Sequence, residues 1–597
     1  MSLAWKGFHS FSPAFKPSFT TSLTSGVSPV AAAVFISATY ATNLAALSSV
    51  ATFSRAGNAM QFDSQGYLTY GPNQQLTQSA TFTDASWSKL NCTVSGNTVT
   101  ATSTSVGLVY KAFTPTANVN YILAFEVSAG TAPYIVIDAP DGGSDRYAWF
   151  RTSDMTVGTV NGALTASVTS LGAGRYRVAV RFNGGAGSAT SYAIGGAPAD
   201  GVNTQVVGHT YNVYNSSLAA VTYETTPRAG DQVITTSAAY YGPRIDYDPD
   251  TLAVKGLLIE EARTNGVINS TDPAVWAVLG VANTTGVTDP QALTKAATVT
   301  AAAGAGYHYT SQTGATASAA QARVISVFVK PGTAPYVNFG ASGDASWHVG
   351  WMKWSDLSTG STNGTVSVQA CANGYYRLSL AFTMANAATV VPYVGPDVAS
   401  RAIAPNYTAA GTETVIAWGL QDEPGYFATS YIPTAAASVT RAADVVQFTG
   451  AALTALQGSA ATFIGQTIGL PFNPAANSAL VAATAGNAII AYVTNSNAVG
   501  VAAAATYNGA AALTVGTPNY TTAMRIGSAF SGSGRSLVVN GGSVATDANA
   551  IGSRPAVYLG GTGASLYLNG WMQSFAIYNQ RLPDATLQAK SVVGASY

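Results

Sequence analysis

The stretch YILAFEVSAGTAPYIVI at residues 121–137 has a close counterpart, RVISVFVKPGTAPYVNF, at residues 323–339. A second segment follows each copy: GRYRVAVRF at 174–182 and GYYRLSLAF at 374–382. In these segments apolar residues recur at every second position, which is typical of strands with one face against a core. The sequence therefore contains an internal duplication of a β-rich module.

Three short marker sequences, SRAG (54–57), PRAGD (227–231) and TRAAD (440–444), bracket the two copies. Short alternating segments with Gly, Asn and Asp turns lie between them, which favours antiparallel β-sandwiches over an α/β fold. We therefore predict an all-β protein with tandem antiparallel β-sandwich modules. The predicted divisions are an N-terminal segment (1–48), a first module (49–230), a second module (231–445) and a C-terminal domain (446–597).

Charged residues are scarce in this chain. Lys and Arg total 26, Asp and Glu total 26, and the charged fraction is 9%, against about 25% in typical soluble domains. The zero net charge gives no basic surface for nucleic acid. So little charge protects a free monomer poorly and hints at permanent assembly. Cys92 and Cys371 are too few for a disulfide framework and are expected as buried free thiols.

The N-terminal segment is apolar and nearly free of charge. Residues 29–53 approach membrane-spanning length, but Ser, Thr, Asn and Tyr interrupt them, so we predict packing against partner chains or a larger assembly and no membrane insertion. The preceding residues include Phe8, Phe11, Phe15 and Phe19. Such a strip is predicted to dock on a partner because exposed apolar side chains are costly in water; the alternative is a poorly ordered terminus.

The C-terminal region has a hairpin pattern, SLVVNGGSVAT (536–546), followed by the alternating stretch 564–590. This region resembles the closing part of concanavalin A-like (laminin G-like) jelly rolls. The resemblance implies a lectin-like jelly roll for the C-terminal domain. The matching positions are Leu537, Val539, Asn540, Gly541, Gly570, Met572, Phe575, Ile577, Tyr578 and Leu582.

The stretch PRIDYDPDTLAVKGLLIEEARTN, residues 243–265, resembles a sequence that recurs in structural proteins of tailed bacteriophages, chiefly tail fibres and head fibres or spikes. Two positions depart from that pattern, Leu252 in place of Gly and Gly266 in place of Leu. The resemblance implies a virion component on the exterior of the particle, on the head or the tail. By the same analogy, we expect a homotrimer whose N-terminal segment contacts capsid, collar or tail proteins.

Two adjacent carboxylates, Glu260 and Glu261, are the first candidates for chemistry. Neighbouring strand residues point to opposite faces, so the two cannot flank one glycosidic bond as hydrolysis requires. The first copy carries YGP where the second carries EEAR. We interpret the stretch as a structural lock at a strand exit, in which one Glu pairs with Arg263 while Asn265 turns the chain. Ligand contact and catalysis are the alternatives.

Familiar catalytic patterns such as G-x-S-x-G, H-E-x-x-H, C-x-x-C and the P-loop do not occur in the sequence. The four histidines are scattered and are expected to be structural or exposed. The stretch DAPDGGSD (138–145) offers oxygens for a loosely held cation, but a β-turn loop is favoured. We therefore predict no catalytic residue, no metal, no cofactor and no enzymatic activity.

Clusters of aromatic residues are the candidates for ligand binding. Exposed Trp and Tyr rings stack on sugars, while Asn and Asp side chains bind hydroxyl groups. The alternative for each cluster is a sandwich core or a subunit interface. The candidate residues are Tyr147, Trp149, Trp347, Trp351, Trp354, Asn569 and Trp571.

These observations together predict a fibre or spike of a bacteriophage virion. Anchored at its N-terminus, it would adhere to host-surface glycans through several weak sites whose linkage raises the avidity. One alternative is a purely structural capsid or collar decoration without receptor binding. The other is a depolymerase of capsular polysaccharide.

Overall fold

The computed structural model describes residues 28–36, 40–140, 145–471, 473–484, 488–493, 501–503, 505–506, 513–515, 522–549, 551 and 554–597. Over these residues the protein is nearly all β, and its main sheets run antiparallel. The predicted all-β fold of sandwich modules is confirmed. The sheets form three sandwiches.

The first sandwich encloses the core predicted from the alternation. Leu123 lies opposite Val180 and Phe125 opposite Val178, and all four side chains are buried. One sheet has the order Thr165–Gly172, Arg175–Asn183, Asn120–Ser128, Thr210–Val221, Thr98–Ala101, Cys92–Ser95. The other has the order Thr156–Val160, Tyr147–Arg151, Tyr134–Asp138, Thr190–Ala197, Leu108–Phe113, Ser88–Leu90.

The second sandwich repeats the first strand for strand. Ile325 lies opposite Leu380 and Val327 opposite Leu378, which reproduces the register of the first core. One sheet has the order Thr365–Ala370, Tyr376–Thr383, Ala322–Pro331, Thr414–Pro424, Ala296–Ala301, Val281–Val287. The other has the order Thr359–Thr362, His348–Lys353, Tyr336–Ser342, Val391–Asp397, Tyr309–Ser311, Ala277–Leu279.

The third sandwich is assembled from distant parts of the sequence. One sheet has the order Arg244–Tyr247, Val254–Ile259, Gly570–Tyr578, Ala461–Ile468, Met524–Ser531, Gly534–Val539, Ala545–Asp547, with Ala31–Val34 also paired to Gly570–Tyr578. The other has the order Ala51–Ser54, Val445–Phe448, Val557–Leu559, Ser478–Ala483, Ala488–Val493, Ala505–Thr506. The first two sandwiches are thus inserted between strands of the third.

This arrangement differs from the predicted divisions in the middle of the chain. The strands Arg244–Tyr247 and Val254–Ile259 were assigned to the second module, yet they extend a sheet of the third sandwich. Leu257 and Ile259 accordingly belong to the core of the third sandwich and not to that of the second. The C-terminal domain therefore does not begin and end within 446–597.

The N-terminal residues 28–54 also belong to the third sandwich. Phe35 and Leu47 are buried in its core, on either side of the start of the helix Tyr40–Ser48. The expectation that these residues pack against other chains is therefore corrected for this part of the segment. In the described residues no helix is long and apolar enough to cross a membrane. The phenylalanines of the predicted docking strip lie outside the described residues.

Smaller elements complete the fold. Further helices are Gly450–Gln457, Asp584–Lys590 and the short 3-10 turns Ala229–Asp231, Pro273–Val275 and Ala372–Gly374. Cys92 and Cys371 are buried free thiols. The two-stranded ladders are Met60–Phe62 with Leu68–Tyr70, Asn73–Gln74 with Tyr240–Tyr241, Arg263–Asn265 with Val439–Arg441, Gly304–Tyr307 with Asn406–Ala409, Thr316–Ala317 with Ala388–Thr389, and Val501–Ala503 with Leu513–Val515.

Candidate functional site

A buried ionic cluster lies at the ends of strands of the third sandwich, where the chain passes to and from the other two sandwiches. The Glu260 carboxylate accepts hydrogen bonds from the Ser430 backbone N–H and hydroxyl, each at 2.7 Å. The same carboxylate lies 2.8 Å from the guanidinium of Arg244 and 2.9 Å from that of Arg441. These contacts occupy both oxygens of the carboxylate.

A second carboxylate extends the cluster. Asp444 accepts from Arg55 at 2.8 Å and also from Arg244. Its side chain additionally accepts from the backbone N–H of Glu260 at 3.0 Å. The markers SRAG and TRAAD therefore meet here, since they contribute Arg55, Arg441 and Asp444.

The electrostatics of the cluster keep Glu260 ionised. Burial by itself would raise the pKa of Glu260, but the charges of Arg441 and Arg244 and the hydrogen bonds from Ser430 outweigh it and lower that pKa to about 2. Burial likewise lowers the pKa of Arg441 from its ordinary value. A carboxylate with these partners serves as a structural anion and has no proton to donate near neutral pH.

The neighbouring carboxylate forms the strand-exit contact expected from the sequence. Glu261 accepts from Nε of Arg263 at 2.6 Å, and the Arg263 guanidinium lies 4.8 Å from the ring centroid of Phe427. Asn265 is fully buried; its amide donates to the Ile432 carbonyl at 2.8 Å and accepts from the Val267 N–H at 3.0 Å. Glu261, and not Glu260, is therefore the partner of Arg263.

The two C-terminal candidate residues hold this same stretch in place. Asn569 accepts from the backbone N–H of Glu261 at 2.9 Å. Trp571 donates to Asp246 at 2.8 Å, and Nζ of Lys255 lies 3.4 Å from the ring centroid of Trp571. The polar groups of Asn569 and Trp571 thus form hydrogen bonds within the chain, and Lys255 covers one face of the Trp571 ring.

A group of partly exposed rings lies on the second sandwich. The ring centroids of Tyr307 and Trp347 are 5.9 Å apart at an interplanar angle of 27°, and Tyr309 approaches Trp347 edge-on at 6.3 Å. Tyr393, which is buried, supports Trp347 from beneath at 5.5 Å. We call Tyr307, Tyr309 and Trp347 the aromatic platform.

The other two tryptophans of the predicted cluster lie elsewhere. Trp351 meets Tyr336 edge-on at 6.0 Å, and its ring covers Gly360, where a Cβ would come within 2.4 Å of it. Trp354 packs on Tyr376 at 6.0 Å beside the second core. The structure therefore places only Trp347 of these three in the platform.

Sequence reasoning missed the two platform tyrosines. They occur in the stretch YHYT, residues 307–310, in which aromatic residues alternate with other residues as they do in a strand with one exposed face. That alternation was the available signal.

The corresponding sheet of the first sandwich has a different character. Tyr147 lies 5.5 Å from Trp149, which is buried and donates to the Val202 carbonyl at 2.6 Å. Tyr147 also donates to Asp145 at 3.1 Å. Trp149 is thus buried in a small cluster with Val136 and Ala197, separate from the core of the sandwich, and of the pair only Tyr147 is partly exposed.

A buried carboxyl lies beside this pair. Burial raises the pKa of Asp138 to about 7, and the charge of Asp145 adds to the shift. One Asp138 oxygen has no hydrogen-bond partner within the described residues. Residues 141–144 of the DAPDGGSD loop lie outside those residues, and the described part of the chain contains no group of three side chains able to hold a metal ion.

The chain was compared with known proteins at three levels. No family model matches it, and no curated protein matches it. Among solved structures it is similar to the Trypanosoma rangeli sialidase, with 11% identity over 95% of this chain and 97% of that chain and a TM-score of 0.21. The same sialidase with 2,3-difluorosialic acid matches with 10% identity over 90% and 93% of the two chains, again at 0.21. Its complex with the inhibitor DANA matches with 11% identity over 91% and 94%, at 0.20.

These neighbours contradict the prediction that the chain is not an enzyme, because each of them is a sialidase. We therefore withdraw that prediction. A TM-score of 0.21 assigns neither a fold nor a reaction to this chain.

Proposed function

We propose that this protein is a fibre or spike on the exterior of a tailed-bacteriophage virion and that it binds glycans on the host surface. The observation that supports binding best is the aromatic platform on the second sandwich. The resemblance of residues 243–265 to phage fibre and spike proteins supports the virion assignment.

The platform suits sugars for a physical reason. Tyr307 and Trp347 are nearly parallel, partly exposed and backed by Tyr393, so their ring faces are held in position before a ligand arrives. A pyranose ring buries its C–H surface on such faces at little cost in conformational entropy. Each platform would bind weakly, and several platforms in one assembly would give avidity.

An array of bacterial surface glycans tests this function on the full chain. We expect binding, and we expect Trp347→Ala to lower the affinity about tenfold, within the range for losing one well-placed aromatic contact. Trp351→Ala is the matched control, because it removes the same residue type outside the platform, from the strand His348–Lys353 that begins directly after Trp347. Equal binding by the wild type and Trp347→Ala would refute the platform as the site.

A second candidate function is a rigid spacer without receptor binding. The buried ionic cluster favours it, because Arg55, Glu260 and Asp444 lie next to strands of the third sandwich and hold together the points where the chain passes to and from the other two. The absence of any glycan signal on the array and on host cells would support the spacer.

The position of the protein on the virion can be tested separately from glycan binding. We propose a homotrimer that contacts capsid, collar or tail proteins through residues before 28, since residues 28–54 are used within the third sandwich. Electron cryo-microscopy of virions labelled with antibody against the third sandwich tests this. Label close to the particle is expected, because the residues before 28 lead directly into the strand Ala31–Val34 of the third sandwich, and label at the distal end of a long appendage would contradict the proposal.

A further inference from the structure

A large cleft separates the first sandwich from the second. It has a volume of about 750 Å³, which falls in the range of small-molecule sites in proteins. The segments 57–60 and 113–120 line one side, and the segments 269–272, 291–295 and 431–441 line the other. We call this space the inter-sandwich cleft.

Amides and aromatic rings contribute to the lining of the cleft. Asn58, Asn118, Asn269 and Gln291 contribute amide groups, and Phe113 and Tyr241 contribute aromatic surface. This combination fits a ligand with many hydroxyl groups and an apolar C–H face, because amides both donate and accept hydrogen bonds while rings pack on C–H groups.

One amide oxygen of a lining residue lacks a hydrogen-bond donor within the described residues. Oδ1 of Asn58 is buried, and no group in the described residues donates to it. Buried acceptors of this kind are rare in folded proteins and usually have a partner. A sugar hydroxyl is a donor of the required kind.

Charge in the cleft is nearly balanced. Asp272 and Lys295 contribute one charge each, and the guanidinium of Arg441 is already paired with Glu260. An acidic sugar would find a single exposed lysine as its counter-charge. A neutral sugar needs none.

The walls of the cleft are fixed by contacts described above. The strand Val439–Arg441 pairs with Arg263–Asn265, and Arg441 anchors that pair to the ionic cluster. A preformed cleft of this kind loses little conformational entropy when it binds a ligand.

We propose that the inter-sandwich cleft binds a neutral oligosaccharide. The inference rests on the proposed glycan-binding function and adds to it a second site, distinct from the aromatic platform, with a stated ligand class. The cleft and the platform share no lining residue among those described.

The test fills the cleft without disturbing the cores. Ala437 is exposed on the cleft wall, so Ala437→Trp places a bulky ring in the space. Ala302→Trp is the matched control, at an exposed alanine of the second sandwich that does not line the cleft. The probes are immobilised hexasaccharides of glucose, mannose, galactose and N-acetylglucosamine, with sialylated and uronic acid oligosaccharides beside them.

We expect the full chain to bind at least one neutral probe. Ala437→Trp should weaken that binding tenfold or more, Asn58→Ala should weaken it several-fold, and Ala302→Trp should leave it unchanged, with equal melting temperatures throughout. If Trp347→Ala abolishes binding and Ala437→Trp does not affect it, the cleft is refuted as a binding site, while the proposed glycan-binding function is retained. Binding of acidic probes alone would also overturn the cleft. A failure of every sugar to bind would overturn both.

Discussion

The first and second sandwiches share a scaffold and differ in where they carry buried charge. In both, an indole near the start of the module donates to a backbone carbonyl: Trp87 to Gln78 and Trp276 to Asn269, each at 2.9 Å. In both, a side-chain amide oxygen also accepts from the backbone N–H two residues further along: Gln74 from Leu76 and Asn265 from Val267, each at 3.0 Å. The duplication therefore includes these side-chain contacts as well as the sheets.

The buried charges follow a different rule in each copy. In the first sandwich Arg228 pairs with Glu224 at 3.0 Å and with Asp231 at 2.8 Å, and it donates to the Tyr70 carbonyl at 2.6 Å, so the marker PRAGD contacts residues of the first module. In the second, Glu260 pairs with Arg441 at 2.9 Å and also with Arg244, which begins a strand of the third sandwich. One scaffold is thus kept in both copies, while the ionic groups of the second contact a neighbouring sandwich.

The largest effect is expected from Glu260→Ala. It leaves the buried Arg441 without its carboxylate and Arg244 with Asp444 alone, and breaking a buried ion pair costs about 3–5 kcal/mol. Urea denaturation should show a lowered midpoint. Glu224→Ala is the control within the first sandwich, and its partner Arg228 is more exposed, so a smaller loss is expected. Equal losses in the two variants would remove the distinction between the copies.

A pH effect is expected from Asp138 of the first sandwich. The folded pKa of Asp138 is about 7, above its ordinary value, so the folded state holds a proton that the unfolded state has released. Stability from this carboxyl is therefore present below about pH 4 and is lost as the pH rises to 7, by up to a few kcal/mol.

Asp138→Asn should abolish this pH dependence, as measured by melting temperature between pH 4 and pH 8. The second sandwich has Gly340 at the corresponding position and therefore lacks this carboxyl. A wild-type melting curve that does not change over this range would contradict the shift.

Arg263→Ala is expected to have an intermediate effect. The pair with Glu261 is partly exposed, but Arg263 also donates to the Pro424 carbonyl and covers Phe427. We expect a loss of about 1–2 kcal/mol in chemical denaturation, with glycan binding by the platform unchanged. Lys in place of Arg263 keeps the charge and should recover part of the loss. Unchanged stability in Arg263→Ala would argue against the lock.

The smallest effects are expected from the paired indoles. Trp87→Phe and Trp276→Phe each remove one hydrogen bond to a carbonyl while keeping an aromatic ring, which costs about 1 kcal/mol. Similar losses in the two variants, measured by thermal unfolding, are expected if the bonds are equivalent. A loss in only one of them would show that the copies have diverged in their packing.

Sequence patterns were sufficient for the strands of the duplicated modules but not for their partners. Alternation at 121–137 and 323–339 identified the buried face because side chains alternate with a period of two. The pairing of Leu257 with Met572 joins residues more than 300 positions apart. Alternation predicts which face of a strand is buried but not which distant strand pairs with it. The full extent of the third sandwich was therefore not predicted.

The same limit applies to the candidate site. Trp347 and Trp571 look alike in sequence, but Trp347 stands beside two tyrosines while Trp571 has Lys255 on its ring. Whether an aromatic face is open depends on which distant residue covers it. The sequence could identify the aromatic residues and could not separate these two cases.

The third sandwich has a consequence for the order of folding. Ala31–Val34 and Val254–Ile259 both pair with Gly570–Tyr578, a strand that is synthesised more than 300 residues after either of them. The first two sandwiches draw their strands from continuous stretches that are complete before then. The early strands of the third sandwich therefore have unpaired edges until Gly570–Tyr578 has been made, and contacts of such high sequence separation form slowly. The synthesis of this one strand thus determines when the third sandwich can close.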